Sequence, residues 1–315
     1  KLLNIIKKYI PFKIFKFFQP AYHYLLSWLS ALVYRWPSEK LIVIGVTGTT
    51  GKTTSVCLIA KTLEEAGYKT GFTSTAMFND GEKEWLNDKK MTMVGRFFTQ
   101  RMLKKMVRNK CRYAIVETSS EGIKQFRHRF INYDILVFTG LYPEHIESHG
   151  SFEKYKAAKG RLFAHLKGCK AKYVDENKFV QGAASGLKKT DFYIVKKTII
   201  ANLDDENAPY FLDFWAEEKI GYGDKTKNKK NRKTGVELNN LAEFNDIEAT
   251  QSGVSFKIGN VKIHLQLLGA FNVANAMNAV CVGLSQGLDL EKIKLALERI
   301  KGIAGRAERI DEGQP

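Results

Sequence analysis

Short apolar runs alternate with amphipathic stretches along most of the chain. From residue 40 onward, strand-like runs fall at 41–46, 69–73, 113–117, 135–139, 172–174 and 192–195. Helical spacing, with apolar residues three or four positions apart, is found at 52–66, 94–108, 152–167 and 177–187. Because strands that alternate with helices form βαβ units, this pattern predicts an α/β fold with a mostly parallel sheet flanked by helices.

The pattern changes in the second half of the chain. Residues 246–267 alternate apolar and polar positions around Gly253 and Gly259, which predicts a small inserted β-hairpin region within a β-rich insertion at about 196–267. Residues 222–234 are lysine-rich, with no aromatic residues between the charges after Tyr222, so we expect a solvated loop and no nucleic-acid binding. Two further helices are predicted at 272–286 and 290–300.

The first 38 residues are rich in aromatic and basic residues and contain no Asp or Glu. Pro11, Pro20 and Pro37 are expected to divide this segment into two short helices, and neither reaches the ~20 apolar residues that a membrane span needs. The segment is not followed by a small-residue cleavage site, so we do not predict a signal peptide. A basic amphipathic helix suits either an anionic membrane surface or packing on the protein body or a partner.

Composition narrows the class of protein. The 315 residues, 44% of them apolar, are enough for a large core. The four cysteines are far apart in the sequence, which argues against a disulfide framework and favours a reducing compartment. We therefore expect a cytoplasmic protein. Peripheral membrane contact through residues 1–38 is left open. A net charge of +17 favours anionic partners without choosing among them.

The most informative stretch is Val-Ile-Gly-Val-Thr-Gly-Thr-Thr-Gly-Lys-Thr-Thr at 43–54. An apolar strand that enters a glycine-rich turn and then a helix directs backbone N–H groups and the helix dipole toward an anion. In such P-loops the lysine, here Lys52, meets the β/γ-phosphates, and the next hydroxyl, here Thr53, binds Mg²⁺. The predicted nucleotide-binding residues are Gly48, Thr49, Thr50, Gly51, Lys52, Thr53 and Thr54.

Further polar residues follow predicted strands, where ligands of parallel sheets bind. Glu117 ends an apolar strand, and an unpaired buried carboxylate there is costly unless a cation offsets it. We therefore expect Glu117 to hold Mg²⁺ together with Thr53.

Six motifs, in order, resemble those of the Mur ligase family, the ATP-dependent amide-bond synthetases of peptidoglycan precursors. They are Thr-Gly-Thr-Thr-Gly-Lys-Thr-Thr (47–54), Glu-Thr-Ser-Ser-Glu-Gly (117–122), and the segments 139–150, 155–163, 269–275 and 302–308. The resemblance implies the central ATP-binding domain of that family, with a P-loop-type sheet. It also implies that ATP phosphorylates a carboxylate and that an amine then attacks the acyl phosphate.

The resemblance implies roles for individual residues. His145 matches a second-metal ligand and Lys159 matches a lysine that CO₂ converts to a carbamate, which requires a lowered pKa. A structural histidine and a solvated lysine are the alternatives. The implied catalytic residues are Lys52, His145 and Lys159, and the implied metal ligands are Thr53, Glu117, His145 and Lys159.

Nucleotide and substrate contacts are also implied by the resemblance. Asn272 would read the adenine edge and Arg306 would bind phosphate, with a helix N-cap and an exposed arginine as the alternatives. The branch that acts on UDP-MurNAc-L-Ala-D-Glu, adding an amino acid, is the most similar. Its muramyl-peptide would be held by Thr92, Ser119, Gln125 and Arg127, for which ordinary loop polarity is the alternative.

Four positions depart from the family pattern: Thr50 and Gly140 stand where Asn is common, Glu121 where His is common and Glu144 where Asp is usual. None of them removes an implied metal ligand.

The domain organisation expected from these patterns is an N-terminal helical segment (1–38) and a central ATP-binding domain (39–315). Neither the UDP-binding domain of the family nor its C-terminal ligase domain is recognised. We therefore expect a monomeric fragment that binds ATP and ligates poorly alone.

Three rival functions differ in recognisable features. Folylpolyglutamate synthetases carry a Gly-Lys-Gly-Ser loop where this chain has Gly-Lys-Thr-Thr at 51–54. The ligase-like subunit that amidates lipid II carries a four-cysteine insert that is not found here. A membrane-associated nucleotide-binding protein that has lost ligation, with residues 1–38 as its anchor, is the third.

Overall fold

The computed structural model describes residues 12–144, 146–174, 180–182, 193–227 and 235–303. Its strands are β1 (Ile42–Thr47), β2 (Thr70–Thr73), β3 (Met77–Asn79), β4 (Glu84–Leu86), β5 (Tyr113–Glu117), β6 (Ile135–Phe138), β7 (Lys172–Val174), β8 (Val180–Gly182), β9 (Tyr193–Val195), β10 (Thr198–Asn202), β11 (Glu218–Asp224), β12 (Asn240–Thr250), β13 (Gly253–Ile258) and β14 (Val261–Leu265). Its α-helices are α1 (Phe12–Tyr34), α2 (Lys52–Glu65), α3 (Arg96–Arg108), α4 (Ser120–Lys124), α5 (Ile146–His149), α6 (Phe152–Leu166), α7 (Ala208–Leu212), α8 (Phe271–Ser285) and α9 (Leu290–Glu298).

Eleven strands form one sheet in the order β14-β13-β12-β11-β10-β6-β1-β5-β2-β3-β4. The seven central strands, from β12 to β2, pair in parallel, and antiparallel strands continue the sheet at both ends. A separate antiparallel sheet has the order β8-β7-β9. The predicted α/β fold with a mostly parallel sheet is confirmed.

The central strands are buried on both faces, as parallel strands covered by helices must be. Ile42, Ile44 and Val46 of β1 join one core with α2 and α8, whereas Val43 joins a second core with α3, α6 and α7. Each fully buried aliphatic side chain contributes about 1.5–3 kcal/mol, so the continuous apolar runs recognised in the sequence fix the centre of the sheet.

The β-rich region differs from the expected arrangement. The hairpins of 246–267 are present as β12–β14, but they extend the main sheet, and β10 and β11 within 196–267 are parallel strands of that sheet. β12 marks the change from parallel to antiparallel pairing: residues 240–244 pair in parallel with β11, and residues 245–250 pair antiparallel with β13, with a bulge between Asn245 and Glu248.

Two predicted elements are wrong. Helix α1 runs continuously through Pro20 and is not divided into two short helices. Proline removes one amide donor, but the turns after Pro20 are held by packing on the protein body, which offsets that loss. In the segment 177–187, where a helix was predicted, residues 180–182 form β8 because they pair with β7, and the remaining positions lie outside the described residues.

Helix α1 is attached to the domain along one side. Ser27, Ser30 and Ala31 are buried, and Ser27 Oγ donates to the carbonyl oxygen of Phe126 at 2.9 Å. None of the helices in the described ranges is both long enough and apolar enough to cross a bilayer.

A buried charge cluster joins the small sheet to the main sheet. Asp134, which is fully buried, accepts hydrogen bonds from Lys172 Nζ at 2.5 Å, Lys197 Nζ at 2.8 Å and the Val43 amide at 2.8 Å. Burial lowers the pKa of Lys172 to about 8, against the opposing attraction of Asp134. The cluster ties β7 to the ends of β1 and β10.

Candidate functional site

The glycine-rich loop between β1 and α2 is held by close backbone approaches. A Cβ at Gly48 would lie 2.0 Å from Thr139 Oγ1, and one at Gly51, where φ is +76°, would lie 2.2 Å from Asn275 Oδ1. Thr139 Oγ1 also donates to the carbonyl oxygen of Thr50 at 2.6 Å. Only glycine fits at Gly48 and Gly51, so the loop keeps its backbone N–H groups in place at the start of α2.

Two lysine side chains meet at this loop. Lys52 Nζ donates to the carbonyl oxygens of Thr49 (2.6 Å) and Gly48 (3.1 Å), and Lys159 Nζ donates to the same Gly48 oxygen at 2.8 Å. Lys159 is 1% exposed and lies 4.6 Å from the centre of the Tyr155 ring. Burial, with a further contribution from Lys52, holds the pKa of Lys159 well below its ordinary value. A solvated helix face is therefore excluded for Lys159.

The buried carboxylate of Glu117 lies beside the loop at the end of β5. Thr53 Oγ1 and the Thr75 amide donate to Glu117 Oε2 at 2.9 and 2.7 Å, and Thr75 Oγ1 lies 2.8 Å from Oε1. Thr75 Oγ1 is also 3.0 Å from Thr92 Oγ1. Thr53 and Thr75 therefore both contact the Glu117 carboxylate, and Thr75 links it to Thr92.

This arrangement fits a magnesium ion bound with a nucleotide. Within the described ranges, the hydrogen bonds to Glu117 come from neutral threonine groups, and Lys159 is close enough to interact with its charge electrostatically. A cation bound directly at the carboxylate oxygens would offset more of the cost of burying this anion. Carboxylate and hydroxyl oxygens are the hard ligands that Mg²⁺ prefers, with phosphate oxygens completing the shell. In the part of the chain that the structure describes, no group of three or more His, Cys, Asp or Glu side chains is arranged so that it could hold a metal ion, so Glu117 and Thr53 supply a partial shell only.

A cavity of about 760 Å³ opens beside the loop, lined by Gly51, Thr54, Asn272 and Asn275 among others. Asn272 Nδ2 donates to the Leu268 carbonyl at 2.8 Å, and Asn275 Nδ2 donates to Asn272 Oδ1 at 3.0 Å. The N-cap of α8 is Ala270, so the N-cap alternative for Asn272 is excluded. The cavity has room for a nucleoside next to the phosphate-binding end of α2.

Of the predicted substrate residues, Thr92 lies between β4 and α3, and Ser119 lies between β5 and α4. Gln125 and Arg127 follow α4. Arg127 Nη2 donates to Gln125 Oε1 at 2.7 Å, and Arg96 Nη2 donates to the Gln125 carbonyl at 2.6 Å. Ser119 caps α4, where its hydroxyl accepts from the Gly122 amide. Burial lowers the pKa of both guanidinium groups, that of Arg96 to about 10.

The positions of His145 and Arg306 lie outside the described residues, so their predicted roles remain predictions. Sequence reasoning missed Thr75, Tyr155 and Arg96. Thr75 could have been found because it lies two residues after a parallel strand. Tyr155, whose hydroxyl lies 3.2 Å from Thr49 Oγ1, could have been found because it precedes Lys159 by about one helical turn. No sequence signal distinguishes Arg96.

The fold and the loop together define a P-loop-type α/β domain in which backbone N–H groups, two lysines and a buried carboxylate lie close to one glycine-rich loop. The sequence model of the family described as "Mur ligase middle domain" matches residues 46–195 and 188–283. The chain belongs to this family.

Relatives extend this assignment over most of the chain. It is 33% identical over 298 residues to the UDP-N-acetylmuramyl-tripeptide synthetase of Roseiflexus sp. (strain RS-1), covering 92% of this chain and 53% of that protein. It is 31% identical over 290 residues to the UDP-N-acetylmuramoyl-L-alanyl-D-glutamate–2,6-diaminopimelate ligase of Geobacillus kaustophilus (strain HTA426), covering 91% and 52%. The chain thus spans about half the length of the relatives that it matches.

Solved structures show the same fold. A UDP-N-acetylmuramoyl-L-alanyl-D-glutamate–2,6-diaminopimelate ligase superposes with a TM-score of 0.64 at 24% identity over 84% of this chain and 47% of that chain. MurF from Acinetobacter baumannii gives 0.62 at 18% identity over 91% and 52%.

Proposed function

We propose that this chain is the ATP-binding part of a peptidoglycan-precursor ligase that adds an amino acid to UDP-MurNAc-L-Ala-D-Glu. Membership of the Mur ligase middle domain family and the names of the similar proteins support this proposal. The observation that carries the proposal is the burial of Lys159 against the glycine-rich loop between β1 and α2, beside Lys52. A nucleotide-binding loop needs one lysine, whereas a buried second lysine indicates further chemistry at the phosphate.

The residues of the loop divide the work of binding ATP. The N–H groups at the start of α2 hold phosphate oxygens, and Lys52 exchanges its carbonyl partners for the β/γ-phosphates. Thr53 and Glu117 would hold Mg²⁺, and the ion would supply positive charge next to the transferred phosphoryl group. Asn272 and Asn275 line the cavity in which the nucleoside binds.

The acceptor side of the reaction uses the loop between β4 and α3 and the residues on either side of α4. Arg127, fixed by Gln125, offers a guanidinium fork to a carboxylate or phosphate of the muramyl-peptide, next to Thr92 and Ser119. A substrate carboxylate oxygen attacks the γ-phosphorus and ADP leaves. The amine of the incoming amino acid then attacks the acyl carbon, loses a proton and displaces phosphate.

We also propose that Lys159 is carbamylated. Its lowered pKa leaves a share of neutral amine, which adds to CO₂ with loss of one proton and gives an anionic oxygen ligand close to Lys52. Incubation with ¹³C-bicarbonate should give a carbamate carbon resonance that disappears in Lys159→Arg and persists in Lys156→Ala, a lysine on the same helix. A spectrum without that resonance, or one indifferent to Lys159→Arg, contradicts carbamylation.

Phosphate release tests the ligase proposal. With Mg²⁺ present, release from ATP should require both UDP-MurNAc-L-Ala-D-Glu and an amino acid, and Lys52→Ala should abolish it. Release that is indifferent to both substrates would refute the proposal. We place the reaction in the cytoplasm, because the four cysteines are free thiols, as in a reducing compartment.

A further inference from the structure

Helix α1 exposes a broad apolar face. Phe18, Leu25 and Val33 are 60%, 59% and 58% exposed, and Trp28 is 40% exposed. The exposed residues share one side of the helix because they recur every three or four positions, at Phe18, Tyr22, Leu25, Leu29 and Leu32. Scattered apolar residues are common on protein surfaces, but a continuous helical face of this kind marks an interaction site.

The opposite side of α1 fixes the direction in which this face points. Ser27 and Ala31 are buried against the domain, and Arg96 Nη2 lies 2.7 Å from His23 Nδ1. Tyr24 packs edge-on against the rings of Phe126 and Phe130. The helix therefore lies along the domain surface, with its apolar side directed outward.

Charge identifies the partner. Residues 1–38 contain basic residues and no acidic ones, and α3, which packs beside α1, likewise contains no Asp or Glu. Arg101, Lys104 and Arg108 recur at helical spacing on α3 together with Phe97, which is 40% exposed. Glu121 near His23 and Glu39 near Trp36 are acidic neighbours of α1. The basic side chains next to the helix outnumber them, and aromatic and aliphatic side chains with an excess of positive charge match an anionic lipid surface.

We propose that the outward face of α1, with the basic side of α3 next to it, binds the surface of an anionic lipid bilayer. The aromatic and aliphatic side chains would enter the boundary between headgroups and acyl chains, while lysine and arginine meet lipid phosphates. A second copy of the chain is a poorer occupant, because pairing the two faces would bring like charges together. This surface is separate from the glycine-rich loop between β1 and α2, so the proposal does not depend on the ligase activity.

Vesicle flotation with the full chain tests this inference. We expect binding to phosphatidylcholine vesicles that contain phosphatidylglycerol, little binding to phosphatidylcholine alone, and weakening as salt rises. Leu25→Ser and Leu32→Ser should each reduce the vesicle partition coefficient about tenfold, since each removes a half-exposed leucine from the inserted face. Leu295→Ser, which changes a leucine that is 54% exposed on α9, is the matched control and should bind as the wild type does.

Two further readouts keep the result interpretable. The tryptophan emission should shift to shorter wavelength on binding, and Trp28→Phe should remove that shift while leaving flotation intact. Thermal unfolding of each variant confirms that it is folded. Absence of binding to the anionic vesicles, or equal losses in Leu25→Ser and Leu295→Ser, overturns the proposal. A solution dimer that Leu25→Ser dissociates would likewise overturn it, by assigning the face to a second copy.

Discussion

Replacing Glu117 with Gln distinguishes two possible roles of this residue, that of a metal ligand and that of a purely structural carboxylate. Glutamine keeps the shape of the side chain, and its carbonyl oxygen can accept from Thr53 and from the Thr75 amide, as Oε2 does. Its amide can donate to Thr75 Oγ1, whose hydroxyl then turns to Thr92 Oγ1 at 3.0 Å. All partners stay satisfied and a buried charge is removed, so we expect the free energy of unfolding without ligand to change by less than about 1 kcal/mol.

The effect on ligand binding should be much larger. A ligand present at 100 times its dissociation constant stabilises the folded state by about 2.7 kcal/mol. If Glu117→Gln weakens Mg·ATP binding about 100-fold, the same concentration equals the new dissociation constant and contributes only about 0.4 kcal/mol. For a chain of this size, that difference corresponds to a few degrees in melting temperature.

The assay is thermal unfolding of both proteins with Mg²⁺ alone, ATP alone and the two together. Wild type should show its largest shift with both ligands, and Glu117→Gln should lose most of it. Glu218→Gln, a buried strand carboxylate four strands away along the sheet, is the control and should keep the shift. An undiminished Mg·ATP shift in Glu117→Gln, or a loss above about 3 kcal/mol without ligand, would refute the metal-ligand reasoning.

Three other predictions follow from the described contacts. Asp134→Asn removes the charge that balances two buried ammonium groups and should lower the free energy of unfolding, measured in urea, by about 3–5 kcal/mol. A decrease below about 1 kcal/mol would contradict a stabilising role for this charge cluster. Gly51→Ala should weaken binding of a fluorescent ATP analogue, whereas Gly67→Ala, with a similar φ of +86° but open space around it, should not. Burial holds the pKa of His128 well below 6.5, so the unfolded chain protonates first and stability should fall by about 1.4 kcal/mol per pH unit below 6.5, a slope that His128→Leu should reduce.

The centre of the fold was predictable from the sequence, because parallel strands covered on both faces are written as continuous apolar runs. β1, β5 and β6 are examples, and the loop after β1 follows from its glycines. Local patterns do not record partners that are distant in the chain. The strand at 180–182 forms through pairing with β7, and helix α1 continues through Pro20 because of tertiary packing.

In the candidate site, too, the residues marked by local sequence patterns were predictable, and the contacts between distant parts of the chain were not. Lys52 and Thr53 were evident from loop spacing, and Glu117 from its place at the end of a strand. The hydrogen bonds of Thr75 to Glu117 depend on which strands are neighbours in the sheet, since β2 pairs with β5 at a separation of 43 residues in the sequence. The burial of Lys159, which decides its chemistry, likewise depends on where α6 docks.

The contacts that hold the glycine-rich loop also determine when during protein synthesis it can reach its folded conformation. Gly48 leaves the ribosome 111 residues before Lys159, which donates to its carbonyl, and Ser55 precedes its contact Asn275 by 220 residues. An emerging chain therefore carries the glycine-rich loop long before the side chains that support it. ATP can therefore stabilise the folded state through this loop only after α6 and α8 have been synthesised and have docked.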